Sequence, residues 1–356
     1  MLHVDFDYAK EPGWMTALST FELADREHGA FSASSASRPD LGHILASARW
    51  YDTTDVRDRV YGLFGLLQKV TEQSPEGVRT LLVPDYTKSW VEIFRDAMRA
   101  ALETKGDLTL LEEAQHRVGE LDDATKELPS WVPHWGRRWE PLADPFPLGA
   151  LFRADGGKVD PGQGACPWDP DVLTATGKQI STVASACAVS FADDSSVMQL
   201  ALTINECRSE LERAGLKYFD QALAHTLIAG TDSNREPSGP VELQAYSSFV
   251  QYDTDADSDR TDSSAASSDL LIAYEQAARK ACSNRRLFTT GDGRIGLGPP
   301  DMRRYDVVAI LLGAEWPVVL RRLGQHRWCF VGQCYTHGIM YGEAVRDDSF
   351  ESFAIF

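Results

Sequence analysis

The sequence predicts an α+β fold in which an antiparallel sheet or small barrel near the C-terminus carries helices packed on it. Two observations support this. Short β-type segments follow one another over residues 287–345 with Gly and polar residues between them, which is typical of antiparallel sheets and small barrels. Segments with apolar residues at helical spacing occur over 55–105 and 196–282.

The domain organisation follows from the same patterns. Residues 1–40 show little periodicity, and we expect a weakly structured N-terminal segment there. Residues 41–356 are expected to form a single α+β domain. Residues 253–269 are acidic and nearly free of large apolar side chains, so they cannot bury enough surface to offset the entropy of ordering. We therefore predict a disordered acidic insertion at about 253–269.

Two helices are predicted in the first third of the chain. Residues 52–67 place apolar residues at helical spacing, and Asp55 is positioned to cap their start. Residues 90–104 carry a wide apolar stripe, with Thr87 or Ser89 as the cap.

The middle of the chain contains two predicted strands and four predicted helices. Residues 107–111 are expected to be a buried strand, and the alternating segment 172–183 a strand that joins the sheet. The predicted helices are 196–211, 216–228, 241–250 and 270–281.

The C-terminal strands are the clearest β signals. Asp292 and Gly293 are favoured in tight hairpin turns, because both central residues of such a turn need a positive φ. The continuous apolar run 307–312 indicates a strand buried on both faces. The remaining predicted strands are 287–290, 294–297, 317–320 and 328–335.

Composition limits the classes of partner. The chain has 356 residues and a net charge of −18, which argues against nucleic acid and anionic membranes as partners. No secretory signal and no apolar run long enough to cross a bilayer is evident. Six cysteines in such a chain indicate reduced thiols and a cytoplasmic location.

Two sequence patterns resemble a cofactor or metal site, but neither meets the requirements of such a site. The glycines of 291–298 lack the strand–loop–helix context and the lysine of a phosphate-binding loop. His326, Cys329, Cys334 and His337 have the residue types of a zinc site, but on one strand Cys334 would point away from Cys329 and His337. We expect no metal and no cofactor.

The candidate catalytic residues are His337, Tyr341 and Glu343. They share one face if the chain stays extended, and a His–Glu pair can perform general acid–base chemistry near neutral pH. In the alternative interpretation, His337 and Glu343 hydrogen-bond to backbone around a glycine-rich turn.

The candidate binding residues form two groups. Trp131, His134 and Trp135 lie in the segment LPSWVPHW, whose prolines and tryptophans are also typical of a rigid packing corner. The second group is Arg57, Asp58 and Tyr86, where an exposed Arg–Asp pair is the alternative interpretation.

Several of these segments together resemble the fungal heterokaryon incompatibility (HET) domain proteins. The C-terminal positions of that pattern are Arg286, Phe288, Thr290, Gly293, Gly296, Pro299, Pro317, Leu320, Arg321, Gly332, Tyr335, His337, Gly338, Ile339, Met340, Gly342, Glu343 and Ala344. Earlier positions are Arg57, Asp58, Val60, Tyr61, Leu63, Gly65, Leu66, Asp85, Tyr86, Ser89 and the segment LPSWVPHW, in which His134 stands where the family has aspartate. The resemblance covers most of the chain after residue 41.

The resemblance implies a recognition role more readily than a reaction. The N-terminal motifs of the HET core are not found, so we expect that core to be missing, and the NAD hydrolysis known for some relatives of that core is not implied here. The first hypothesis is a protein of self/non-self recognition type that acts through contacts with a protein partner without evident catalysis. The alternative is an enzyme that acts on an apolar small-molecule ligand through His337, Tyr341 and Glu343.

Overall fold

The computed structural model describes residues 41–47, 49, 53–65, 76–114, 127–136, 151–160, 164–165, 169–187, 197–232, 236–251, 265–347 and 349–356. The chain divides into two compact units, Met1–Gly106 with Val132–Trp139, and Asp107–Trp131 with Glu140–Phe356. The predicted N-terminal segment 1–40 lies outside the described residues. The single domain over 41–356 stays a prediction.

The first unit contains four described helices: α1 Leu41–Ser47, α2 Asp58–Tyr61, α3 Glu76–Leu81 and α4 Trp90–Lys105. Helix α4 agrees with the prediction. The Ser89 hydroxyl accepts the N–H of Glu92 while the Glu92 carboxylate accepts the N–H of Ser89, so two free amides at the helix start are satisfied reciprocally. Helix α2 has no side-chain cap; Asp55 instead accepts the N–H of Arg57. The prediction that Asp55 caps the helix was wrong.

The second unit begins with a 3-10 helix, Thr109–Ala114, where a strand was predicted. The Asp107 carboxylate accepts both the N–H and the hydroxyl of Thr109, a local turn that competes with strand pairing. The four helices of this unit are α5 Val197–Arg213, α6 Asp220–Leu227, α7 Pro240–Gln251 and α8 Ala265–Cys282. Helix α8 covers the last five residues of the predicted insertion; residues 253–264 lie outside the described part.

The second unit also holds the sheet. Its strands are β1 Gly164–Ala165, β2 Leu173–Ala186, β3 Arg286–Thr290, β4 Ile295–Gly298, β5 Val307–Leu311, β6 Val318–Gly324, β7 Arg327–Gln333, β8 Tyr335–Thr336 and β9 Glu351–Ile355. A second 3-10 helix spans Glu343–Val345.

Five of these strands close into a ring. Strands β5, β6 and β7 pair in sequence, β9 joins β7 in parallel, and the long β2 pairs with both β9 and β5. Beyond a register shift, β2 continues into a second layer, β3–β4–β8. The α+β class, with a mostly antiparallel sheet near the C-terminus, is confirmed.

Both sides of this sheet are covered. Every residue of β5 is buried, and Val308 and Ile310 belong to a core with Val183, Val319 and other residues. A separate core joins the helices to β3, β4 and β8 around Phe152 and Trp316. The continuous apolar run 307–312 therefore reflects burial on both faces, as predicted.

A short segment at 128–131 is fastened to the ring by hydrogen bonds. The Ser130 hydroxyl accepts the N–H of Phe330 in β7 and donates to the Phe356 carbonyl, which also accepts the Ser130 N–H. The indole N–H of Trp131 donates to the Asp171 carbonyl over 2.9 Å. The LPSW part of the segment therefore serves as a structural anchor within the second unit.

Candidate functional site

The most concentrated polar site of the second unit surrounds His337, immediately after β8. Its imidazole is half-buried and stacks on that of His225 from α6, with ring centroids 5.6 Å apart and an angle of 8° between the planes. The Tyr335 hydroxyl lies 3.4 Å from His337 Nδ1. The turn that follows β8 thus brings the predicted His337 against a histidine 112 positions earlier in the chain.

His225 has a hydroxyl partner on its other side. Its Nδ1 and Ser238 Oγ are 2.6 Å apart, a short hydrogen bond. Glu242 is close enough to influence His225 electrostatically, but its carboxylate accepts the N–H of Gly239. The contact has the geometry of a nucleophile beside a base, without a carboxylate hydrogen-bonded to either imidazole among the described residues.

Burial sets the charge state of this histidine pair. Desolvation lowers the pKa of His225, and Glu242 raises it by a smaller amount. The pKa of His337 is also lowered, first by burial and then by its neighbour His225, against a smaller opposite effect of Glu343. Since both pKa values lie below the ordinary 6.5 of histidine, both imidazoles are mainly neutral near pH 7.

The other two predicted catalytic residues lie in the turn that follows. Gly338 and Gly342 have φ values of 85° and 82°, so the chain is not extended here and the shared face expected from strand geometry does not form. The Glu343 carboxylate accepts the backbone N–H of Tyr341 over 2.7 Å. Tyr341 is 54% exposed, and its ring packs 5.4 Å from that of Phe152.

The last residues of the family pattern, 335–344, therefore mainly build a turn and the core beneath it. Tyr335, Ile339 and Met340 are buried in the two cores of the second unit. The Met340 carbonyl accepts the N–H of Arg153. Glu343 stabilises its own turn, which agrees with the alternative interpretation for that residue, whereas His337 contacts side chains and presents a half-exposed ring.

The predicted binding residues Arg57, Asp58 and Tyr86 meet on the first unit. The Arg57 guanidinium lies 5.1 Å from the Tyr86 ring and donates to the Tyr86 carbonyl, and the Tyr86 hydroxyl donates to Asp58 over 2.5 Å. Arg57 forms its ion pair with Asp55, not with Asp58, and this contact lowers the pKa of Asp55 to about 2. Two motifs that are separate in sequence therefore form one surface cluster.

The tryptophan-rich segment divides between the units. Trp131 is fully buried in the second unit, where it donates to Asp171. In the first unit Trp135 is fully buried beside Arg49, and the His134 ring packs against Trp90 at a centroid distance of 4.9 Å. These contacts are those of packing residues; whether any of the three binds a ligand stays a prediction.

The described residues offer neither a cluster of metal ligands nor a membrane-spanning helix. Within the described ranges no three His, Cys, Asp or Glu side chains gather as metal ligands. Of the four residues that have the types of a zinc site, His326 is exposed at the turn between β6 and β7, whereas Cys334 is buried. None of the helices in the described part of the chain is both long and apolar enough to span a bilayer.

His225 and Ser238 were not predicted as site residues. Neither residue lies in a recognisable motif, and His225 follows an apolar stretch of α6 where a histidine is unremarkable. The distance between them in space is set by the turn at 228–232, in which the Gly230 carbonyl accepts the N–H of Ser238. No local pattern in the sequence specifies that contact.

Comparisons with known proteins support the family resemblance. The Het-6 beta-barrel domain family matches residues 235–355, a region that contains four strands of the closed ring. Heterokaryon incompatibility protein 6, OR allele, of Neurospora crassa is 25% identical over 348 residues, which cover 82% of this chain and 49% of that protein. No solved structure matches significantly.

The chain spans about half the length of this curated relative. Strand β2, which lies before the matched region, completes the ring that the matched strands begin. By the domain match and the alignment, the chain is related to the fungal heterokaryon incompatibility proteins, and its residues 235–355 match the Het-6 beta-barrel domain family.

Proposed function

We propose that this protein acts in self/non-self recognition in a fungal cell, through contact with a protein partner and without catalysis of its own. The observation that carries the proposal is the alignment with heterokaryon incompatibility protein 6 over 82% of the chain. The partner would differ between cells of different genetic type, so that its contact with this chain distinguishes them.

The chemistry of the candidate site supports a binding role over a reaction. The two histidines have lowered pKa values from burial, and Glu343 accepts a backbone amide within its own turn. A general base near neutral pH requires an oriented partner and access to the substrate proton. The described contacts of His337 are with Tyr335 and His225, not with Glu343.

A second candidate function is favoured by one contact. The 2.6 Å hydrogen bond between His225 and Ser238, next to His337, would suit an enzyme that acts on an apolar small molecule. The exposed ring of Tyr341, which packs on the buried Phe152, would supply an apolar wall. Unlike recognition by contact, catalysis at this site would require an intact imidazole.

The experiment uses fused cells and is repeated with a chain that carries one substitution. Forced heterokaryons are made from strains with and without the tagged chain, their growth is measured, and proteins cross-linked to the chain are identified by mass spectrometry. We expect a growth difference and one reproducible cross-linked protein. Unchanged growth with no cross-linked partner would contradict the proposal.

The variant His337→Gln separates the two functions. A recognition protein should retain both its growth effect and its cross-linked partner, since the half-buried ring is not required for contact elsewhere. If His337→Gln abolishes the growth effect and leaves the cross-linked partner in place, the enzyme is favoured. The exposed Gln325→Ala serves as a control that leaves the site intact.

A further inference from the structure

A group of arginines lies at one end of the ring, outside the site described above. Strand β6 contributes Arg321 and Arg322, and the loop before β5 contributes Arg303 and Arg304. Together with Gln179 and other residues they line an open groove of about 520 Å³. We refer to it as the arginine groove. It is a basic surface on a chain whose net charge is −18.

One arginine of the groove is structural. Arg321 forms two hydrogen bonds with the buried Asp306, at 2.9 and 2.8 Å, and donates a third to the Asp301 carbonyl. Asp306 also accepts the N–H of Arg303. A buried carboxylate that is bonded in this way fixes the loop before a ligand arrives, which reduces the entropy cost of binding.

The other three arginines present their charge to solvent. Arg303, Arg304 and Arg322 are exposed, and no acidic side chain of the described residues pairs with any of them. The guanidinium of Arg304 lies 4.9 Å from the Tyr305 ring and that of Arg322 lies 5.0 Å from the Trp328 ring. Stacking orients a guanidinium while its N–H donors stay free for a carboxylate. Even with Asp301 and Asp306 counted, the groove stays net positive.

Apolar surface flanks these charges. Tyr305 is 70% exposed and holds a φ of 74°, which is unusual for a residue with a Cβ, and Leu323 is 55% exposed. Tyrosine and arginine are among the residues that are enriched where proteins bind one another. In β6, residues 321–324 pair only with β7 among the described strands, because pairing with β5 ends at Leu320. An open strand edge of this kind accepts an extended peptide.

We propose that the arginine groove binds an extended acidic segment of a protein partner. The proposal rests on the proposed function, since it describes how the recognised partner is held. Carboxylates of the segment would bind Arg303, Arg304 and Arg322, and its backbone would pair with the free edge of β6. The free edge of β6 favours a protein segment over a nucleic acid, because a peptide backbone can continue the hydrogen-bonded ladder and a sugar–phosphate backbone cannot. The groove is also much larger than a single inorganic anion.

The test is fluorescence anisotropy with a labelled ten-residue peptide of alternating Glu and Thr. We expect saturable binding that weakens between 50 and 200 mM salt and is lost when Gln replaces Glu. Methylating alternate backbone nitrogens of the peptide should weaken binding at least threefold; unchanged affinity would refute pairing with the strand edge. Tighter binding of labelled ten-nucleotide oligothymidylate, or no binding of the acidic peptide, would overturn the proposal.

Two sets of variants locate the binding. The charge reversal Arg303→Glu, Arg304→Glu, Arg322→Glu should weaken the peptide at least tenfold. A control reverses three exposed cations elsewhere, Arg213→Glu, Lys217→Glu and Arg346→Glu, and changes the net charge equally. It should weaken the peptide less than twofold, and equal losses in both variants would overturn the proposal.

Two further controls are needed. One tests whether the groove variant folds, and the other separates failure of the groove proposal from failure of the proposed function. If the charge-reversed groove does not fold, as judged by circular dichroism, replacement of the same three arginines by Gln should still weaken the peptide severalfold. If the partner found in fused cells binds the groove variant as well as the unaltered chain, the groove proposal fails while the proposed function stands. If no partner exists, the proposed function fails, and the peptide titration still tests the groove.

Discussion

Replacing Ser130 by Ala should destabilise the second unit, because one hydroxyl serves two backbone groups. The Ser130 hydroxyl accepts the N–H of Phe330, whose side chain is 2% exposed, and donates to the Phe356 carbonyl. In the Ala variant the Phe330 amide loses its acceptor in a buried place, at a cost of about 1–3 kcal/mol. The Phe356 carbonyl keeps the Ser130 N–H, so little is added at that end.

The assay is differential scanning calorimetry. For a unit of this size a loss of about 2 kcal/mol lowers the melting temperature by roughly 4–8 °C. Ser248→Ala is the matched control, because that exposed hydroxyl donates only to a carbonyl in its own helix. It should melt within about 1 °C of the unaltered protein, as expected for a surface change within about 0.5 kcal/mol.

Hydrogen exchange gives a local readout. The peptide that covers β7, Arg327–Gln333, should exchange faster in Ser130→Ala than in the control. If Ser130→Ala melts like the unaltered protein and β7 stays equally protected, the Ser130 hydroxyl does not anchor the 128–131 segment.

Three further predictions concern acid stability, backbone strain and thiol reactivity. Because burial holds the pKa of His225 and His337 below the ordinary 6.5, the unfolded chain takes up protons that the folded protein does not; stability should be full above about pH 6.5 and fall below it. Urea unfolding at pH 7 and pH 5 should show this loss, and the double His→Gln variant should lose less. Gly215→Ala, at φ 82° with open space around it, should cost about 1–2 kcal/mol in urea unfolding. Gly230→Ala should cost more, because its new methyl would lie 2.9 Å from a buried tyrosine ring; equal costs would refute the packing argument. Burial raises the pKa of the Cys334 thiol to about 12, so iodoacetamide at pH 8 should label it only after unfolding, and labelling of the native protein would contradict its burial.

The strands were predictable wherever burial leaves a pattern in the sequence. The run 307–312 is apolar throughout because both faces of β5 are covered. The turn at Asp292 and Gly293 separates β3 from β4 as expected, but only Gly293 has the positive φ that was expected of both residues. Helix α4 was equally clear, since its capping box and apolar stripe are local features.

The elements that were not predicted depend on distant contacts. Strand β9 was missed; it is short, and its pairing with β2 and β7 joins positions far apart in the chain. Residues 107–111 have the composition of a strand, but the Asp107 carboxylate holds them in a turn. A local hydrogen bond therefore outweighed the apolar pattern.

The candidate site likewise combines a residue that a local motif predicts with residues that only the fold brings to it. His337 was singled out from its motif, and the structure places it in a polar cluster. The strand parity used to group it with Tyr341 and Glu343 fails at the two glycines with positive φ. His225 and Ser238 come from another part of the chain, and only the fold brings His225 to His337.

We propose that this chain discriminates between cells by contact with a protein. The direct measurement is calorimetric titration of the purified chain with the cross-linked protein, taken once from an incompatible strain and once from a compatible one. We predict a stoichiometric complex with one form and at least tenfold weaker binding of the other. Equal affinity for both forms, or binding of neither, would contradict the proposed recognition function.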